Sequence, residues 1–420
     1  MFPFPARVCI ACAIVLAAAA ARVQAGDLTL AGALDAALRN HPDLRASAFE
    51  LDAAQARLVQ AGLGPNPELS LELENFAGSG DSRGTDALEA TLSLSQVVEL
   101  GGRRALRRSA AESALESTNL GQRVHELDVL ADVTRRFIDV VALQEHARLA
   151  AESVRLATST LGAIDARVAA GRSPLAEQSR ARIALTRALV DQSQAASELR
   201  SARYALAASW GSADPDFTTA RAELFELRAT EPLQALLNRL DASPDFAQLA
   251  SEARLREAEL RLARAQARPS LAFSLGLRHL AEGDDTALVA GFSVPISLRD
   301  RNQGAIREAQ VRLAQTGVLA DTARIRARSS LLSLHQQMDA DRARVETLRS
   351  EALPQARLAL DQTRSGYDRG RFSFLELATA QEELLALQDA AIDAAADYHR
   401  LLVEIERLTG AAAQGAQSNP

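Results

Sequence analysis

Hydrophobic positions along this chain keep two periods, and each period appears twice. Over Glu68 to Phe76 the period is two: Leu69, Leu71 and Leu73 point one way, and Glu68, Ser70, Glu72 and Glu74 point the other. After the turn-rich stretch Gly78 to Gly84, Leu88, Ala90, Leu92 and Leu94 alternate with Glu89, Thr91, Ser93 and Ser95. The device returns later. Leu271, Phe273, Leu275 and Leu277 lie opposite Ala272, Ser274, Gly276 and Arg278, and Leu288, Ala290, Phe292, Val294 and Ile296 follow Glu282-Gly283-Asp284-Asp285. Such alternation predicts half-buried strands. The spans are about 66–77 and 86–98 in the first hairpin, and about 268–280 and 286–298 in the second.

Elsewhere the period is helical. Thr29 to Arg39 reads as a short amphipathic helix closed by Asn40-His41-Pro42, and Asp43 to Leu63 as a second, stopped by Gly64-Pro65. Residues 103–170 contain no proline, and as one helix would reach roughly 100 Å at about 1.5 Å per residue. Within them Val140, Leu143, Ala147, Ala150, Val154, Ala157, Leu161, Ile164 and Val168 step by three and four, the spacing of a coiled-coil seam. Gly171-Arg172-Ser173-Pro174 turns the chain into a return helix, 174–209, with its seam on Leu185, Ala188, Gln192, Ala195, Leu199, Ala202 and Leu206. The second half goes out over 302–366, with a kink expected at Pro354. It turns at Tyr367-Asp368-Arg369-Gly370 and returns over 372–409 on Leu377, Ala380, Leu384, Leu387, Ala391, Ala394, Tyr398, Leu401, Ile405 and Leu408.

The halves are one pattern repeated. At an offset of 200, Ala87, Leu88, Ala90, Ser93, Ala105 and Arg107 meet Ala287, Leu288, Ala290, Ser293, Ala305 and Arg307. At 204 Pro65 meets Pro269; at 202 Pro42-Asp43 meets Pro244-Asp245; at 199 Gly171-Arg172 meets Gly370-Arg371. The expected organisation is therefore a first repeat over 26–212, a second over 213–410, and a disordered tail over 411–420.

Composition narrows this further. Only 4% of the 420 residues are aromatic, a mix suited to long packed helices. The formal charge is −7 with no basic patch, which excludes nucleic acid as an expected partner. Arg7, the apolar run Val8 to Ala21 and Val23-Gln24-Ala25 read as a signal peptide over 1–25. Its loss removes Arg7 and Arg22 and takes the charge from −7 to −9. Both cysteines, Cys9 and Cys12, lie inside it, leaving the mature chain no disulfide or thiolate site. A lipid-acceptor cysteine should follow the apolar run, whereas Cys12 precedes most of it.

No later run is long and apolar enough for a membrane helix, so any crossing must use strands. Strands of about ten residues suit an outer membrane when tilted. Four cannot close, and an open edge in lipid leaves backbone groups unsatisfied. Several copies must then share a barrel, with 8 strands from two chains or 12 from three. A water-soluble helical protein with two surface hairpins would account for the heptads but not for two uninterrupted apolar rows.

At this point the chain resembles the TolC-like outer membrane efflux protein family, over Leu28 to Gly410. Within it the resemblance is to the cobalt–zinc–cadmium (CzcC-like) branch. It is carried by Asn66-Pro67-Glu68-Leu69-Ser70 with Glu74-Asn75-Phe76, by Glu99-Leu100-Gly101-Gly102-Arg103-Arg104, and by Val294-Pro295-Ile296 with Asp300-Arg301-Asn302-Gln303-Gly304. Arg299 departs from it, standing where an apolar residue is expected before Asp300. The resemblance implies a fold that is mainly α with a small β part. Long antiparallel coiled-coil helices form an α-barrel across the periplasm, and four strands per chain build a shared 12-stranded outer-membrane β-barrel in a homotrimer. The implied partners are a periplasmic adaptor (membrane fusion protein), an inner-membrane RND transporter and outer-membrane lipid. The implied role is the passive exit duct of a tripartite pump for divalent heavy-metal cations.

The candidate chemistry is that of a pore. Six scattered histidines, His41, His125, His146, His279, His335 and His399, form no His-x3-His pair or carboxylate cluster along the sequence. No nucleophile elbow or phosphate loop appears. No catalytic residue, metal ligand or cofactor is therefore expected. If Leu69, Leu71, Leu73, Leu92, Phe273 and Phe292 face lipid, then Glu68, Glu72, Glu74 and Glu89 face the lumen, where they would concentrate cations. The resemblance places the periplasmic tip, gate and adaptor-docking surface at Gly171 and Gly370. Glu376 matches a family tip carboxylate and Glu177 is its first-half counterpart, and a ring of either would constrict the pore and bind cations. As ordinary first-turn residues they would simply complement the helix dipole. Two other roles compete: an exit duct for drugs or secreted polypeptides, and a periplasmic coiled-coil scaffold or adaptor.

Overall fold

A computed structural model describes residues 26–76, 78–80 and 83–411. The expected signal peptide, residues 77, 81 and 82 of the first hairpin loop, and 412–420 of the expected tail lie outside the described residues.

The first repeat comprises β1 (Gly26–Thr29), α1 (Leu30–Asn40), α2 (Pro42–Ala61), β2 (Glu68–Glu74), β3 (Glu89–Val98), α3 (Arg103–Ala169) and α4 (Leu175–Ala208). The second comprises β4 (Phe217–Arg221), α5 (Leu233–Asp241), α6 (Pro244–Gln266), β5 (Leu271–Leu280), β6 (Asp285–Ser293), α7 (Gln303–Thr347), a π-helical turn (Leu348–Ala352), α8 (Leu353–Asp368) and α9 (Phe374–Thr409). Local chemistry sets these bounds. Thr29 caps α1 by accepting the Gly32 N–H at 3.2 Å. Pro42 and Pro244 each open a helix in the first turn, where a missing N–H costs nothing. β6 stops at Ser293, five residues short of the expected 298, where Pro295 cannot donate to a ladder.

The four long strands form one antiparallel sheet in the order β2-β3-β5-β6. Register puts Leu71, Leu92, Leu277 and Leu288 in one row, with Leu69, Leu94, Leu275 and Ala290 in a neighbouring one. Both rows lie on the same face. It is exposed: Leu71 is 65% accessible and Phe292 77%. The outer edges of β2 and β6 have no strand partner among the described residues.

Below the sheet the helices pack lengthwise, burying the expected seams. Val140, Ile164, Ala188, Ala195, Leu206, Leu377, Leu384, Ala391, Ala394, Tyr398 and Ile405 are all buried. One core gathers Phe137, Val140, Leu206, Trp210, Phe217 and Ile392. A second, in the second repeat, holds Leu236, Leu331, Met338, Tyr398 and Ile405. A third, near the interhelix turns, holds Ile164, Leu353, Leu360, Tyr367, Phe374 and Leu377. A fully buried Leu or Ile contributes about 1.5–3 kcal/mol, and each alanine methyl far less. The larger side chains therefore fix where the helices bind, and the alanines set how closely they approach.

Two details differ from the sequence expectation. The parallel pair β1–β4 was not anticipated, because strands of four and five residues leave too short a pattern. The outward helix of the second repeat is also not one unbroken α-helix over 302–366: the backbone widens into a π turn just before Pro354, where the kink is expected.

The junctions explain two of the motifs. Arg103 reaches into the second repeat, donating to the carbonyls of Ala265 and Gln266 and to Ser270 Oγ. Asn302 donates to the Ala263 carbonyl at 2.7 Å. Both stitch the start of a long helix to carbonyls in the last turn of α6, where the intrahelical ladder runs out.

Candidate functional site

At the far end from the sheet, two chain reversals lie side by side, one per repeat. Each is closed by a glycine in the left-handed region, Gly171 at φ 70° and Gly370 at φ 76°. In each the residue after glycine donates six-to-one: Arg172 to the Arg167 carbonyl and Arg371 to the Gly366 carbonyl, both at 2.8 Å. A β-carbon would strain either turn.

The residue opening the following helix then decides what the neighbouring carboxylate does. In the second repeat it is Ser373, which accepts the Glu376 N–H, while Glu376 accepts the Ser373 N–H at 2.7 Å. This reciprocal capping box holds the Glu376 carboxyl below its usual range, through its hydrogen bonds to the Ser373 backbone and hydroxyl. In the first repeat the same position is Pro174, which offers no cap. Glu177 instead accepts a long hydrogen bond from the Tyr367 hydroxyl at 3.4 Å. The two carboxylates, paired by the repeat, thus do different work.

Across the repeats, Arg167 clamps the reversals together. Its guanidinium lies 4.5 Å from the Tyr367 ring centroid, donates to the Tyr367 carbonyl at 2.8 Å and to Ser173 Oγ at 3.1 Å. Tyr367 is 2% exposed, and that burial pushes its phenol pKa upward. Two further contacts bind the second repeat to α3 just above: Arg364 to Ser159 at 2.9 Å and Gln381 to Thr160 at 2.8 Å. Outside the clamp, Leu175 and Leu375 stand exposed in the first turns of α4 and α9, with Phe372 beside Gly366.

At the opposite end, the polar face of the sheet carries the four expected carboxylates, and they are not equivalent. Arg278 on β5 pairs with Glu89 at 2.7 Å and Glu74 at 3.3 Å, and donates to Thr91 at 2.9 Å. Among the described residues no cation pairs with Glu68 or Glu72. The sequence shows Arg278 in the polar row, but only the strand order brings it opposite carboxylates 189 and 204 residues earlier.

Histidines also find partners that the sequence hides. His146 on α3 sits between Asp389 at 2.9 Å and Asp393 at 3.2 Å on α9, a juxtaposition that spacing along the sequence does not show. The two nitrogens point to opposite oxygens and do not converge on a point. Among the described residues no group of three or more His, Cys, Asp or Glu is placed to hold a metal ion. His399, buried against the Leu224 carbonyl at 2.9 Å, is pushed towards its neutral form by burial. No described helix is long and apolar enough to cross a membrane.

Compared with known families, residues 33–212 and 235–411 match the outer membrane efflux protein family. The chain is 32% identical over 393 residues to the cobalt-zinc-cadmium resistance protein CzcC of Cupriavidus metallidurans, covering 93% of this chain and 91% of that protein. It is 29% identical to the pyoverdine export outer membrane protein OpmQ of Pseudomonas aeruginosa, covering 86% and 80%. A solved structure of CusC superposes with a TM-score of 0.75 at 18% identity, covering 91% of this chain and 92% of the other.

Proposed function

The chain belongs to the outer membrane efflux protein family, and from that premise we propose that it is the passive exit duct of a tripartite pump releasing divalent heavy-metal cations of the cobalt, zinc and cadmium class. The observation that carries the substrate class is the 32% identity to CzcC, sustained over 93% of the chain. In this reading an inner-membrane RND transporter loads the substrate, a periplasmic adaptor docks at the tip, and this protein supplies the tube.

The assembly is a homotrimer. Its open sheet edges, β2 and β6, meet those of neighbouring copies, so that twelve strands close and no backbone group is left unpaired in lipid. Exposed apolar stripes continue below those edges, with Phe49 and Val59 on α2 and Val311, Val318 and Ile325 on α7. They suit contact between neighbouring copies where the barrel runs into the helices. The leucine face meets lipid and the carboxylate face meets the lumen. Arg278 offsets two of the four carboxylates, leaving Glu68 and Glu72 as the main source of cation-attracting field.

The tip is the gate. Arg167, Tyr367 and Ser173 hold the two reversals of one chain together, and three such clamps keep the end narrow. Glu376 serves as a cap in each chain, and its exposed charge also faces whatever enters. Substitution separates the roles. Glu376→Gln keeps a side chain able to complete a capping box, whereas Glu376→Ala does not. If the charge forms a ring, Glu376→Gln lowers divalent-cation block of single channels while leaving thermal stability near wild type. If the residue is a cap alone, block is unchanged in Glu376→Gln, and only Glu376→Ala loses stability. The share of that stability owed to the ionised carboxylate is present above the ordinary carboxylate range and is lost as pH falls through the depressed value.

A second reading is an exit duct for an organic product rather than a metal ion, favoured by the 29% identity to the pyoverdine export protein OpmQ. Growth of a deletion strain separates the two. Sensitivity to cobalt, zinc or cadmium, restored by the intact gene, is expected. Normal metal tolerance with impaired secretion of an organic product would move the protein to the second reading.

A further inference from the structure

α7 and α8 would be one helix but for the π turn between them. There the Leu353 N–H reaches back five residues to the Leu348 carbonyl. Pro354 follows in the first turn of α8. In a regular α-helix its ring would press on the Ser350 carbonyl, four residues earlier, and no N–H would satisfy that oxygen. The wider turn relieves the clash. The first repeat has Val154 at the matching place, and α3 runs unbroken from Arg103 to Ala169. The joint therefore belongs to one repeat only.

A strap lies against it. The segment between β4 and α5 presents Phe225 to the π turn. Arg349 lies 4.6 Å from its ring centroid and donates to its carbonyl at 3.3 Å. Phe225 also packs against both the core around Phe137 and the core around Tyr367, so it links the middle of the molecule to its tip. Two grooves open to solvent meet at this contact, of about 240 and 420 Å³. The smaller is lined in part by Gln388, whose Oε1 is buried with no hydrogen-bond partner. Close-packed interiors resist bending, and space beside a break in a hydrogen-bond ladder removes that resistance. On the facing helix, Gln388, Ala391 and Ile392 line the same space as Arg349 and Leu353.

We propose that the π turn at Leu348–Ala352 is the joint about which α8 bends when the tip opens, and that Phe225, through Arg349, holds it in the closed bend. This rests on the reading of the tip as a gate. It adds where the movement is absorbed and what restrains it. The clamp at Arg167 and the strap at Phe225 are two separate locks on one helix, at its end and at its root.

The test uses intact trimers in lipid nanodiscs and two readouts. In hydrogen exchange, amides of residues 349–356 should exchange at least tenfold faster than those of 149–156, and Phe225→Ala should widen the gap several-fold. Equal protection of the two segments in the wild-type trimer overturns the joint. The second readout is single-channel conductance in an Arg167→Ala background. Deleting Ser350 while replacing Pro354 by alanine removes the wide turn and the proline together and favours an unbroken α-helix. With the joint removed, conductance should return to the closed level despite the broken clamp. If Arg167→Ala conducts more than wild type and the straightened variant conducts equally well, the joint is overturned while the gate stands. If Arg167→Ala conducts no more than wild type, the gate reading fails, and the wild-type exchange comparison alone decides the joint.

Discussion

Replacing Arg167 by alanine is expected to raise the conductance of the isolated trimer at least tenfold. Each guanidinium contributes a hydrogen bond to the Tyr367 carbonyl, another to Ser173 and a stacking contact with the Tyr367 ring. Hydrogen bonds involving a charged group are worth about 1.5–3 kcal/mol, and a cation–π contact adds at least about 0.5–1 kcal/mol. Even the lower figures, multiplied over the three clamps of the proposed trimer, exceed the about 1.4 kcal/mol that shifts an equilibrium tenfold. Arg167→Lys keeps the charge but loses the planar fork, so it should fall between alanine and wild type. Planar-bilayer recordings decide the matter. Unchanged conductance in both variants would show that the Arg167 contacts do not hold the channel shut.

The second large effect is expected in the membrane. Leu92 lies on β3, an inner strand, with Leu71 beside it on one side and Leu277 on the other. A charged residue at the middle of a lipid-facing strand costs about 2–4 kcal/mol, and a trimer carries the change three times. Leu92→Arg should therefore abolish heat-resistant trimers in the outer-membrane fraction. Ser93→Arg, one residue along and on the opposite face, should be tolerated. The contrast is the informative part, since a general folding defect would affect both. If the two substitutions were equally harmless, the leucine face would not be in contact with lipid.

The sheet and the coils were legible because their signals are long. Four alternating apolar rows and three heptad seams leave little choice of period, and a single slip of register would turn every leucine to the other face. The tip turns were legible too, since Gly171 and Gly370 repeat at a fixed offset ahead of matching helices. Pairings made by the topology were not. Arg278 meets Glu74 and Glu89 only because β3 and β5 are neighbours, and His146 meets Asp389 across 243 residues of chain. The π turn escaped for another reason. It widens a single turn inside an otherwise helical run, so Pro354 was its only trace, and a proline alone suggests a kink. The different fates of Glu177 and Glu376 were written in Pro174 and Ser373, but reading them required knowing that both reversals close in the same way.

The clamp also makes the tube a ruler. Arg167 and Tyr367 meet because the two repeats reach the same depth, α3 in one span and α7 with α8 in another. One added heptad lengthens a helix by about 10 Å. Inserted into the first repeat alone, it would carry Arg167 two turns past its partner and leave the seams out of step. Inserted into both coiled-coil pairs at matching heights, it would leave every contact at the tip as it is. Length can thus change only in whole heptads and in both repeats at once. Longer or shorter ducts of this design should differ from it in such paired steps.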